Sequence, residues 1–204
     1  VSEAGDAGQA SGADADARAD ADTRADADAD ARAEADVVAR IHLALAGAVA
    51  RLVAAGARDE ALAVFVPRQR RMLVTREPVL RPVGRVWRLG VLLLDGDGVL
   101  RATGSIVRAT EPGRPAYQSL SAETRRAYRA AAQRGHFPAG ETVNYDAEVI
   151  EVDADGLRAS TGPVFVRDGR AFVRWNAATP DAAVPLEAYL AERVGLLADP
   201  PLGA

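Results

Sequence analysis

Apart from Val1, the first 36 residues contain no apolar side chain larger than alanine, so any core must come from residues 37–204. The block Ala13-Asp14-Ala15-Asp16-Ala17-Arg18 recurs at Ala19–Arg24 and decays through Ala25–Asp30 and Ala31–Asp36. A β-helix repeat needs a bulky apolar residue in each coil, and none is present. Alanine and aspartate are also poor strand formers, which removes a strand reading of the alternation. Asp14/Arg18, Asp20/Arg24 and Asp28/Arg32 are favourable pairs at helical spacing, whereas Asp16/Asp20 and Asp22/Asp26 repel. The expectation is a solvated, low-complexity tail over 1–36, disordered or partly helical, ahead of a single α+β domain over 37–204. Charge divides at the same boundary. The tail carries 11 acids against 3 Arg, a net of −8, and the remaining 18 acids and 22 Arg leave +4 on residues 37–204. Val1 is compatible with a GUG start codon, and Val37 or Val38 would serve equally.

Two residue types are missing. There is no Cys, which excludes disulfides, thiolate metal sites and Cys nucleophiles and suits a reducing compartment. All 25 Lys+Arg residues are Arg, which excludes Schiff-base, Walker-type and Ser-Lys chemistry. A genome of high GC content accounts for the Arg, Ala, Gly and Asp usage. No uninterrupted run of about 18 apolar residues is present to span a bilayer. Val37–Ala55 is interrupted by Arg40, His42 and Arg51, and the N-terminus lacks the pattern of a secretory signal. The chain reads as soluble and cytoplasmic, with no membrane partner.

Val38, Ile41, Leu45, Val49 and Leu52 recur at helical spacing and predict a helix over about 37–55, closed by Gly56. Asp59 caps a second, shorter helix through Leu62, Phe65 and Val66, stopped by Pro67, which gives an N-terminal helical hairpin. Met72–Thr75 and Val79–Val83 are short β-type runs cut by Pro78 and Pro82. Val86–Leu94 predicts one strong strand, returned through the turn Asp95-Gly96-Asp97-Gly98 by Val99–Ala109. Ser121 caps a middle helix that ends at Gly135. Glu141–Val152, Leu157–Ser160 and Pro163–Val166 read as strands, the last paired across Asp168-Gly169 with Ala171–Trp175. A terminal helix follows over about 184–196. The fold class is α+β with a largely antiparallel sheet.

Three places could carry chemistry. In 67–90, Arg68, Arg70, Arg71, Arg76, Arg81, Arg85 and Arg88 face one acid, Glu77, and guanidinium forks suit phosphates and carboxylates. No base-stacking motif, phosphate loop or helix-turn-helix accompanies them, so the partner expected is a small anion or a protein, and the tail itself could fold back onto this stretch. The loop 110–119 offers Arg114, Tyr117 and Gln118 beside a helix start. Arg85, Arg88, Arg114, Tyr117 and Gln118 are therefore the ligand-binding candidates. Third, any Ser-His-Asp arrangement must use one of only two histidines, which makes His136 with Ser119 or Ser121 the available base and nucleophile. His-Glu-x-x-His and EF-hand spacings are absent, and no metal or cofactor is expected.

With Gly84-Arg-Val-Trp-Arg-Leu-Gly-Val-Leu-Leu-Leu94, Ala102-Thr-Gly104 and Tyr117-Gln-Ser-Leu120, residues 67–176 resemble small actinobacterial proteins of undefined function, some of which carry the label glutaminase. The label implies a Ser-x-x-Lys or cysteine mechanism, and this chain has neither Lys nor Cys, so no catalytic residue carries over. A non-catalytic binding module is the leading expectation, and an amide hydrolase of another mechanism is the alternative.

Overall fold

The computed structural model describes residues 9–71, 74–112, 120–176, 179 and 182–200. Helix α1 runs unbroken from Gln9 to Ala54 and so continues the repeat into the amphipathic segment. Val37, Ile41, Leu45, Ala48 and Leu52 form its buried stripe. Its end matches the expectation: Gly56 takes φ 59° while Ala57 N–H closes back on the Leu52 carbonyl at 3.0 Å. By length and composition α1 could cross a bilayer between Asp28 and Ala54. The stripe Val37, Ile41, Leu45, Ala48 and Leu52 is buried, while Leu43 and Val53 of the same helix are exposed.

The second helix of the predicted hairpin is strand β1 (Glu60–Val66). Glu, Ala and Leu favour a helix, but here they form a central strand, paired with β4 (Val79–Leu89) on one side and β8 (Thr142–Tyr145) on the other. Two ladders of backbone hydrogen bonds and burial of Ala61, Leu62 and Ala63 outweigh the local preference. Between β1 and β4 lies a small hairpin, β2 (Gln69–Arg71) and β3 (Val74–Arg76).

The predicted strand Val86–Leu94 is two strands. Gly90, at φ 67°, turns the chain so that β5 (Leu92–Asp95) folds back on β4. A Cβ at Gly90 would lie 2.3 Å from the Tyr189 hydroxyl. That hydroxyl accepts from Val91 N–H at 3.0 Å and donates to the Leu89 carbonyl at 2.9 Å, bracing the turn. Leu92, Leu93 and Leu94 are all fully buried, as a strand covered on both faces requires.

Six strands form the main sheet in the order β6-β5-β4-β1-β8-β7, with β6 (Leu100–Ala102) and β7 (Ser105–Arg108) at its two edges. Only Thr103 and Gly104 join those edges, whereas six flat strands would be about 24 Å wide. The sheet must therefore curl, and the register shows how. Arg108 faces Thr142, Ser105 faces Tyr145, and further along Arg101 faces Val149. Thus β6 and β7 are one bent strand, paired throughout with β8 and its continuation, and the sheet closes into a small barrel. Leu62, Val86 and Leu93 fill the inside with Ala147.

Two cores lie outside the barrel. One holds α1, α4 (Leu186–Ala198) and the β9–β11 sheet, built from β9 (Val164–Arg167), β10 (Arg170–Arg174) and β11 (Ala183–Pro185), packed onto Trp87, Leu89, Leu94 and Leu100. The other lies under α2 (Leu120–Arg134), where Tyr128 packs between Phe65 and Tyr145. Residues 157–160, expected as a strand, belong mainly to α3 (Ala154–Ala159), because the Asp153 side chain caps it by accepting from Gly156 N–H at 2.6 Å. The architecture is α+β. Among the described residues, the helix of the tail leads into the α4 core, whereas the Arg-rich hairpin adjoins α2.

Candidate functional site

Arg85 and Arg88 stand on β4 three residues apart, and alternation sends them to opposite faces. Each is held by its own acid. Arg85 reaches Asp59 at 2.7 Å and Glu141 at 3.1 Å. The hydrogen bond from Arg85, with its charge, lowers the Asp59 pKa against partial desolvation. Arg88 lies 3.3 Å from Glu60 and bonds the side-chain oxygen of Asn144. Asn144, 1% exposed, donates in turn to Glu60 at 2.8 Å and to the Ala61 carbonyl at 3.2 Å. This node ties β1, β4 and β8 together at the barrel. The two guanidiniums do not converge on one cleft, and Arg114, Tyr117, Gln118 and Ser119 lie outside the described residues.

His136 is exposed in a left-handed conformation, φ 59°, just past the end of α2. Ser121 occupies the first turn of the same helix and is exposed. Thirteen helical residues lie between them and span about 20 Å, far beyond reach of a base and its nucleophile.

The structure brings together a different group. In β9–β10, Asp168 (φ 50°) and Gly169 (φ 64°) make the two-residue turn that the Asp-Gly signal predicts. The register sets Phe165 opposite Phe172 and Arg167 opposite Arg170. With period-2 alternation, Phe165, Arg167, Arg170, Phe172 and Arg174 then share one face. The rings stack at 5.6 Å, with the Arg174 guanidinium 3.7 Å above Phe165 and that of Arg167 5.1 Å from Phe172. Arg174 is further fixed by the carbonyls of Gly162 at 2.7 Å and Ser160 at 3.2 Å.

This face borders a cleft of about 790 Å³, closed on the far side by Asp30, Glu34 and Val37 of α1 and by Arg158 of α3. Arg158 holds Glu34 at 2.5 Å and Asp155 at 3.1 Å, and the bond to Glu34 raises its pKa. Arg40 donates to the Gly169 carbonyl at 2.6 Å, pinning the turn to α1. Arg170 leaves the cleft for an adjoining hollow shared with Arg40 and Glu187. Arg167 and Arg170 are both exposed, and among the described residues neither has a carboxylate within ion-pair distance. Like charges directly opposite across a ladder are destabilising unless something neutralises them. The signal was present in Phe165-Val-Arg-Asp-Gly-Arg-Ala-Phe-Val-Arg174, since the turn and the alternation together align these side chains.

No protein-family model matches this chain, and neither a curated protein nor a solved structure matches it.

Proposed function

We propose that this protein is a non-catalytic cytoplasmic module that binds a small anion of the phosphate or carboxylate class at the Arg167–Arg174 cleft. The observation that carries the reading is Arg167, exposed on the cleft wall with no carboxylate in ion-pair distance among the described residues, beside Arg158 and Arg174, which are already fixed in place, and opposite Arg170 across the ladder. Guanidinium forks match carboxylate and phosphate geometry, and stacking on Phe165 and Phe172 preorganises them, so little side-chain freedom is lost on binding. Glu34 on Arg158 occupies the position that one oxygen of a ligand would take. The absence of cysteine suits a reducing compartment.

The test is thermal unfolding of the full chain with phosphate, pyrophosphate, citrate and simple dicarboxylates, against chloride at matched ionic strength. A ligand at a hundredfold excess over its Kd adds about 2.7 kcal/mol, which reads as a rise in Tm. Arg167→Ala with Arg170→Ala should abolish that rise and leave the ligand-free Tm unchanged or slightly higher. If none of these anions shifts Tm beyond the chloride control, the reading fails.

A further inference from the structure

Residues 67–134 contain 14 Arg against 5 acids, and the fold gathers much of this charge on one shoulder. Arg134 Nε donates to the Pro78 carbonyl at 2.6 Å, which sets the end of α2 against the root of the β2–β3 hairpin. Arg70 and Arg76 are exposed on the hairpin, and Arg125 and Arg129 on α2. None of these four has an ion-pair partner among the described residues, and Glu77 is taken by Arg68 at 2.7 Å. The shoulder is therefore net cationic, with Glu123 of α2 and the Arg68-bound Glu77 as its acids.

The complementary charge is elsewhere in the same chain. The first 36 residues carry −8, and from Gln9 they extend α1 as a continuous helix. A helix of 46 residues is about 69 Å long. It packs on α4, α3, β10 and β5, while α2 packs on β4 and β7 in the other core. An unbroken helix cannot turn its acidic end back to its own shoulder. A second molecule has no such constraint. Asp16/Asp20 and Asp22/Asp26 repel along the helix, and a cationic surface would relieve that local repulsion.

We infer that the acidic N-terminal arm of α1 docks on the hairpin–α2 shoulder of a second copy of this chain, and that reciprocal exchange of the two arms closes a twofold dimer. The contact is between charged, solvated groups, so it is governed by salt.

Sedimentation velocity of the full chain tests this. The expected result is a dimer of the 21.4-kDa chain at low ionic strength, and a monomer in 1 M salt, where the screening length is about 3 Å. Arg125→Glu with Arg129→Glu should be monomeric at low salt, as should Asp20→Arg with Asp22→Arg and Asp26→Arg. Mixing the two variants pairs a native arm with a native shoulder at one contact and should recover part of the association. A wild-type chain that stays monomeric at low salt overturns the inference, and so does a dimer that survives 1 M salt or the Arg125/Arg129 reversal.

Discussion

Asn144 is the buried polar residue on which three strands meet, and nothing in its neighbourhood of sequence announces this. Its amide satisfies Glu60, the Ala61 carbonyl and Arg88 at once, so truncation leaves partly buried charges short of partners. Asn144→Ala should lower stability by about 1–3 kcal/mol, read as a reduced urea midpoint. Gly104 is fixed by space. A Cβ there would lie 2.1 Å from the Asp146 carbonyl oxygen at the bend where the barrel closes. Gly104→Ala should cost more than Asn144→Ala, or prevent folding, whereas Gly96→Ala, with open space around it, should be tolerated on steric grounds. Asp59 carries a pH signature. Because its pKa is lowered by Arg85, its contribution is present above the ordinary carboxylate range and is lost as pH falls through the lowered value. Asp59→Asn should flatten the acid limb of a stability–pH curve, by a small amount because the pair is half exposed.

At the scale of elements, α1 joins two helices of different kinds. From Val37 onward it is held by apolar burial, and before Asp30 no buried side chain holds it among the described residues. Ile41→Ala, at a fully buried position, should cost about 2–5 kcal/mol by chemical denaturation. Asp28→Ala, exposed with an ion pair stretched to 3.9 Å, should change stability by well under about 1 kcal/mol. The boundary between these regimes was visible as the switch from an Ala/Asp repeat to helical periodicity. Strand β1 was not visible as a strand. Glu60–Val66 has the composition of a helix start, and only its two neighbours in the barrel decide otherwise. The break at Gly90 was legible in principle, but the run of leucines after it suggests one strand until Tyr189, about a hundred residues away in sequence, is brought beneath the turn.

For the whole molecule, the barrel divides the charged surface. The β9–β10 face with its paired arginines looks toward α1, while the hairpin and α2 carry their arginines on the other core. The two sites should therefore respond independently. Arg167→Ala with Arg170→Ala should remove anion-induced stabilisation without altering the sedimentation behaviour. Arg125→Glu with Arg129→Glu should do the reverse.

The sequence alone determined the alternations, the turns at Asp95–Gly98 and Asp168-Gly169, the helix ends at Gly56 and Gly135, and the partition of charge. Each depends on residues close together in the chain, where backbone preference and side-chain period act directly. Tertiary structure alone decided that β1 is a strand, that two sheet edges meet through Gly104, and that Arg85 and Arg88 neutralise internal acids while Arg167 and Arg170 do not. Those outcomes depend on which distant segments share a surface, and that is set by the joint burial of many side chains.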